Sequence, residues 1–476
     1  MMFYGGMLAI VLLMFQDLNR EMIGVLGLAL ILLLMLMKVP VAVAMFVGGA
    51  LGIWLLGGER VVVSTLRTVP FHSVSGWSLS VVPMFIFMGL MLWRAGASER
   101  LYEASRHWLG WIPGGLAVGT NVAGAGLASV SGSTLGVTYA LGRIGIPEML
   151  RAGYDRRFAV ASVLMAGTGG QLIPPSILLV IYAGIASVPV GSQLLAGFLP
   201  GVVLTVVYGA VLVTLAVTVR GMTGRAGSDA DGSADPRSRK DGDSGWHDRW
   251  RTLRNIWPLP VLAGGTLAGL YAGVFTATEA GAFGAAGALL TTCWYRKGRA
   301  IPASIKLAVV DTVKASGAIF LLIIGAAVLS RFLTLSGLAS WMVTAVSDLD
   351  LSRVQFLLVL LVIYLVLGMF VDPLTMMLIT VPIVIPILGS LDIGLIWFGV
   401  FVVLLGELAV VTPPVGVLTF VVHKLAQEPE VNLGHRITLS DVFVAVLWFL
   451  PASLAVLVLL ILVPEIAEYI PALAER

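Results

Sequence analysis

The chain has 476 residues, of which 58% are hydrophobic and 12% charged, with a formal net charge of +3. A soluble globular chain is about half apolar and about a quarter charged, so this composition describes a polytopic membrane protein. Basic residues do not cluster around aromatics, which argues against a nucleic-acid surface, and the one cysteine, Cys293, can form no intrachain disulfide.

Residues 1–21 open with MMFYGGMLAIVLLMF. This stretch lacks a basic n-region and a small-residue cleavage site, so it reads as an interfacial or spanning anchor rather than a signal peptide. Apolar spans follow at 22–37, 40–57 and 81–93. A broken apolar stretch occupies 112–142, a Pro-interrupted span 158–187 and a long span 193–219. Residues 220–254 are rich in Gly, Ser, Asp and Arg, cannot bury a core and read as a linker. Spans resume at 256–274, 277–295 and 315–330. A second broken stretch lies at 354–389, a Pro-interrupted span at 393–422, a last span at 441–463 and a tail at 464–476. All spans are expected to be helical. Segments 59–80 and 301–314 mix charges with apolar residues and read as interfacial arms.

Lysine and arginine, which are enriched in cytoplasmic loops, orient the chain. Arg94, Arg100 and Arg106 precede the first broken stretch, and Arg143, Arg151, Arg156 and Arg157 follow it. Both flanks are basic, so 112–142 is expected to be a re-entrant hairpin entering from the cytoplasm. The linker, with eight Lys or Arg, then also falls inside, whereas the flanks of 354–389 carry Asp348, Asp350 and Asp392 and fall outside.

The two halves align at an offset of about 236 residues, Gly48 on Gly284, Gly89 on Gly325, and Pro174-Pro175 near Pro413-Pro414. Each half has an odd number of crossings plus one hairpin, so the second, 255–463, is inverted relative to the first, 22–219. Inverted repeats with broken helices at the midplane are a plan of secondary transporters. The expected fold is an all-α polytopic membrane protein of inverted-repeat ion-transporter type, with two re-entrant hairpins and two Pro-broken helices.

Proline lacks the backbone N–H, so each Pro-Pro pair should break its span, and broken backbone at membrane depth must be buried in protein or line a cavity. The first hairpin turns at Ser131, Gly132, Ser133 and Thr134, a cluster of small and hydroxyl residues. The second turns at GMFVDP, with Gly368 and Asp372. Asp372 is either an ion-ligating carboxylate or the cap of a helix that starts at Pro373, and both roles are compatible. Carbonyls freed at Gly169, Gly170 and Ile173, and at Gly406, Thr412 and Gly416, suit a hard cation such as Na+, while half-helix N-termini suit an anion. Glu407 is a further ion or proton candidate, and Glu279 lies near a span start.

The motifs SGST at 131–134, IPEM and GYD within 146–155, GTGGQLIPPS at 167–176, GMFVDP at 368–373 and TPPVG at 412–416 resemble the large membrane subunit (DctM-like permease) of the tripartite ATP-independent periplasmic, or TRAP, transporters. The resemblance runs in order over nearly the whole chain. It implies a bacterial inner-membrane permease working with a four-span, DctQ-like small subunit and a DctP-like periplasmic binding protein. It implies Na+-coupled, elevator-type uptake of small organic anions, with no covalent cofactor and two Na+ sites near the hairpin tips. The candidate Na+ ligands are Ser131, Gly132, Gly169, Gly170 and Ile173 at one site, and Gly368, Asp372, Gly406, Thr412 and Gly416 at the other. The candidate substrate residues are Ser131, Ser133, Thr134, Pro175, Ser176, Asp372 and Pro414. The moving part is expected to be 81–187 and 315–427. Thr134 and Leu135 depart from the family, which often has Ser-Ala there, and Leu135 is bulkier toward the substrate cavity.

No GxxxxGK[ST] loop, HExxH motif or Ser-His-Asp arrangement points to an ATP-driven pump or an enzyme. The competing reading is a stand-alone Na+/anion symporter that needs no binding protein.

Overall fold

The computed structural model describes residues 2–16, 18–224, 246–296, 298 and 300–474. Linker residues 225–245 lie outside the described residues. The first half contains α1 (Met2–Met14), α2 (Arg20–Leu36), α3 (Val41–Val74), α4 (Val81–Arg94), α5 (Ala97–Leu109), α6 (Gly115–Ser131), α7 (Thr134–Arg151), α8 (Arg156–Ala166), α9 (Ile177–Ala186) and α10 (Val190–Thr218). The second contains α11 (Trp246–Ile256), α12 (Pro258–Tyr271), α13 (Ala277–Tyr295), α14 (Ala300–Ser336), α15 (Leu338–Asp348), α16 (Arg353–Leu367), α17 (Pro373–Ser390), α18 (Leu395–Val411), α19 (Val417–Leu425), α20 (Pro429–Asn432), α21 (Leu439–Leu462) and α22 (Glu465–Ala474). Among the described residues there is no strand beyond one isolated bridge, Tyr154 to Thr223, and six helices are long and apolar enough to cross a membrane. The chain is a multi-pass, all-helical membrane protein.

Helix starts follow local chemistry. Ser133, Asp155 and Ser176 cap α7, α8 and α9 through side-chain oxygens that accept backbone N–H groups. Thr276 with Glu279, Ser352 with Gln355, and Thr438 with Asp441 close capping boxes on α13, α16 and α21. Glu279 therefore serves its own helix end.

The arms differ between halves. Segment 59–74 continues α3 past a kink at Gly58, which has φ 74°, while 301–314 runs without interruption into the following span as α14. Helix α5 fills what the sequence shows as a basic flank, and it is amphipathic, with Tyr102, Ala104 and Ser105 buried. The start of the linker folds back, where Asp155 N–H donates to the Met222 carbonyl at 3.1 Å, and its end forms α11, which packs on α5. Residues 465–474 are helical and pack on α10 and α18 rather than forming a free tail.

Packing sorts the helices into two groups. Helix α3 lies along α14, α13 lies along α4, and α2 and α12 join this layer. The hairpin α6–α7 and the helices α8, α9, α10, α18, α19 and α21 form the other group. These packing groups differ from the division expected from the sequence. Spans 81–93 and 315–330, expected to move with the hairpins, pack into the first group. Spans 193–219 and 441–463, expected to be fixed, pack into the hairpin group. The cause is buried polar pairing: Asn121 Nδ2 donates to the Thr205 carbonyl at 2.9 Å, and the Tyr208 and Ser453 hydroxyls pair at 2.8 Å. Trp397 Nε1 donates to the Leu460 carbonyl at 3.1 Å and Gln193 Nε2 to the Ile396 carbonyl at 3.1 Å. Such groups find no partner in hydrocarbon, so they bind α10 and α21 to the elements that satisfy them.

Candidate functional site

The first hairpin turns within two residues. Gly132 sits at φ 62° and its N–H donates to the Ala128 carbonyl at 2.8 Å, ending α6. Ser133 Oγ then accepts the Gly136 N–H at 3.1 Å and starts α7. The second turn, 368–372, ends at Asp372. Its carboxylate accepts the Thr375 N–H at 3.1 Å and the Thr375 hydroxyl at 2.6 Å, so Asp372 caps α17 with Pro373 in the first helical position.

Each Pro-Pro pair interrupts its span as expected. Helix α8 ends at Ala166, a short 3-10 turn covers Gly169–Gln171, and α9 starts after Ser176. Helix α18 ends at Val411, and α19 starts after Gly416 at φ 45°. Both Pro-Pro peptide bonds are cis.

The two tips and the two breaks meet at one cavity of about 490 Å³. Its walls include Ser131–Leu135 from the first tip, Asp372 and Pro373 from the second, Gln171 and Ile177 from the first break, and Glu407 and Val417 from α18 and α19. Asp311 of α14 also lines it and is ion-paired with Arg94 of α4. Among the described residues, the charged side chains of the lining are the three acids Asp311, Asp372 and Glu407.

Glu407 is 2% exposed, and the Thr134 hydroxyl donates to its Oε2 at 2.7 Å. This contact joins residues 273 positions apart and ties the first tip to the broken span of the other half. Among the described residues of the lining, two further oxygens are buried without a hydrogen-bond partner, Ser131 Oγ and Gln171 Oε1. Unpaired buried acceptors are costly, and a cation is one way to satisfy them.

Of the candidate residues, Ser131, Gly132, Ser133, Thr134 and Asp372 line the cavity. Gly169, Gly170, Ile173, Pro175 and Ser176 sit behind the first wall. The Gly169 and Gly170 carbonyls accept from Leu172 and Ile173 N–H at 3.3 and 3.2 Å, and Ser176 is fully buried as the cap of α9. Gly368 abuts Ala409, and Gly406 abuts Pro373, so both seat the second tip on α18. The Thr412 hydroxyl donates within its helix to the Leu408 carbonyl at 2.6 Å, and the Gly416 carbonyl accepts the Thr419 hydroxyl at 2.6 Å. Pro414 is exposed and outside the lining. Sequence reasoning did not assign Gln171, although it lies inside GTGGQLIPPS, and ranked Glu407 below Asp372. The available signal was one acid inside the apolar run of α18.

A second, largely apolar cavity of about 560 Å³ adjoins the first tip, and Ser131, Ser133 and Leu135 line both.

The family profile of the tripartite ATP-independent periplasmic transporter DctM component matches residues 28–466. The chain belongs to the DctM family. Its relatives include the ectoine/5-hydroxyectoine TRAP transporter large permease UehC of Ruegeria pomeroyi, 29% identical over 91% of this chain and 95% of that one. The C4-dicarboxylate TRAP large permease DctM of Pseudomonas aeruginosa is 30% identical over 90% of this chain and 92% of its own. Among solved structures, the YdaH transporter of Alcanivorax borkumensis superposes with TM-score 0.54 at 16% identity, covering 90% of this chain and 96% of that one. The antimetabolite efflux pump MtrF of Neisseria gonorrhoeae gives TM-score 0.55 at 11% identity, covering 92% and 94%. These two likenesses speak for the fold. As a DctM member the chain is a TRAP transporter large permease, and membership implies a small membrane subunit and a periplasmic binding protein as partners.

Proposed function

We propose that this DctM-family chain is the large subunit of a Na+-coupled TRAP importer in a bacterial inner membrane. Its cargo is a small organic anion of the carboxylate class, delivered by the binding protein, and its small-subunit partner has four spans. The observation that carries this reading is the single cavity where both hairpin tips and both Pro-Pro breaks converge. The buried, unpartnered oxygens Ser131 Oγ and Gln171 Oε1, together with the acids Asp372 and Glu407, favour hard cations there. Cations bound among these acids would offset their repulsion of an anionic cargo. The substrate comes to rest beside the Na+ ions, and half-helix N-termini of α7 and α17 point their N–H dipoles at it.

Reciprocal packing supports inverted repeats: span 41–57 of the first half lies on α14, and its counterpart α13 lies on α4. Alternating access follows as an elevator. The hairpin group with α10 and α21 moves against the layer of α2–α4 and α12–α14, and α5 and α15 link the two. The apolar space beside the first tip gives it room to shift.

Purified large and small subunits in proteoliposomes, supplied with the cognate binding protein, are expected to accumulate cargo only under an inward Na+ gradient. Undiminished uptake in Na+-free buffer with a proton gradient would overturn Na+ coupling. Equal uptake without the binding protein would instead favour a stand-alone symporter. Asp372→Asn keeps a capping side chain, so a drop in apparent Na+ affinity in this variant would report cation ligation by the carboxylate. Unchanged Na+ dependence would leave Asp372 with capping alone.

A further inference from the structure

A third cavity, of about 450 Å³, shares no residue with the tip cavity and lies where α4, α5, α11 and α13 come together. Among the described residues four charges line it: Glu99, Arg100 and Glu103 on α5, and Arg296 just past α13. Glu99 and Glu103 are four residues apart and so share one face of the helix. Among the described residues none of these four charges is in an ion pair.

The two guanidinium groups are nonetheless held in place. Arg100 stacks on the Tyr295 ring, 3.9 Å from its centroid. Arg296 donates to the Arg94 carbonyl at 2.6 Å. The Tyr295 hydroxyl donates to the Asn255 carbonyl at the end of α11. These contacts use one side of each guanidinium, which has five N–H donors to offer.

The depth of the cavity is marked by tryptophan. Trp93 and Trp294 stand at the ends of α4 and α13, 51% and 68% exposed. Exposed tryptophans at span ends sit at the headgroup level of a bilayer. Ala95 and Tyr295 of the cavity lining follow these tryptophans by two residues and by one, which places the cavity near that level.

We propose that this cavity binds phosphatidylethanolamine. The phosphate lies between Arg100 and Arg296, the ammonium faces Glu99 and Glu103, and the acyl chains run past Trp93 and Trp294. The charge pattern selects this headgroup. Two acids and two guanidiniums match a zwitterion whose phosphate and ammonium are separated by a short linker. The primary ammonium brings three N–H donors to the carboxylates, whereas the quaternary ammonium of phosphatidylcholine brings none. Phosphatidylglycerol brings no cation and sets its phosphate against two uncompensated carboxylates. The bound lipid bridges α5 to α13, and so braces the helix that connects α4 to the first hairpin. The inference rests on membrane insertion and not on the identity of the cargo.

The test is native mass spectrometry of the purified, delipidated protein given POPE, POPG or POPC singly. POPE is expected to be retained most. Glu99→Gln with Glu103→Gln should weaken POPE binding at least about threefold, to the POPC level, the scale of partly exposed charge-assisted hydrogen bonds. Arg100→Gln with Arg296→Gln should weaken binding of all three lipids. All four positions are at the surface of the cavity, and an unchanged melting temperature in each double variant shows that folding is intact. Equal retention of POPE and POPC, preference for POPG, or POPE binding unchanged in either double variant would overturn the proposal. O-phosphoethanolamine, the headgroup without tails, separates lipid from a soluble ligand: it should fail to displace POPE, and displacement at equal concentration would overturn the lipid assignment. Uptake is not measured, so failure here leaves the transport reading untouched.

Discussion

Thr134→Val is expected to cost about 1–3 kcal/mol of stability, the penalty of leaving a buried acceptor without its donor. The Glu407 carboxyl is 2% exposed and receives the Thr134 hydroxyl at 2.7 Å. Valine matches threonine in shape but removes that donor. Thr134→Ser keeps the hydroxyl and should recover most of the loss. Thr134→Val combined with Glu407→Leu should be less destabilised than Thr134→Val alone, because removing both partners removes the unpaired group. Chemical unfolding in detergent reads all three. A single Thr134→Val variant as stable as the parent would show that another donor serves Glu407. Because this hydrogen bond holds the first tip against α18, uptake should fall in Thr134→Val and return in Thr134→Ser.

Gly170→Val is expected to abolish uptake and to lower stability by about 1–3 kcal/mol, the cost of overpacking a tight interior. A Cβ on Gly170 would stand 2.2 Å from the Ala125 carbonyl oxygen and 2.6 Å from the Ala128 Cβ. The first of these obstacles is backbone of α6, so relief requires shifting the hairpin itself. The first Pro-Pro break and the first tip are thus held in register by the absence of a side chain. Gly317→Ala is the contrasting control. Nothing lies within 4 Å of a Cβ there, within α14, so alanine should stabilise that helix by about 0.5–1 kcal/mol. Loss of uptake in Gly317→Ala equal to that in Gly170→Val would show that helix perturbation in general, rather than this contact, is responsible.

Much of the site was legible because its local chemistry is written in short motifs. Gly132 at the first turn, Asp372 as a cap, Pro373 at the first helical position and the two Pro-Pro interruptions all depend on neighbours within a few residues. The oxygen-rich character of the tips could be read for the same reason. Gln171 and the centrality of Glu407 were harder to see. A glutamine after two glycines carries no signal of its own, and its role comes from a cavity whose walls are drawn from Ile86 through Leu418.

What the sequence by itself determined is a many-span membrane protein, with its two tip turns and its two Pro-Pro breaks in place. Those features follow from hydropathy, proline and glycine, which act on the chain locally. Only the tertiary structure decided which spans pack together. In hydrocarbon a span that faces lipid and one that faces protein are equally apolar, so hydropathy does not distinguish them. The assignment of α10 and α21 to the hairpin group came from buried pairs such as Tyr208 with Ser453 and Asn121 with Thr205. Likewise, the hydrogen bond from Thr134 to Glu407 exists only because folding brings one half's tip against the other half's broken span.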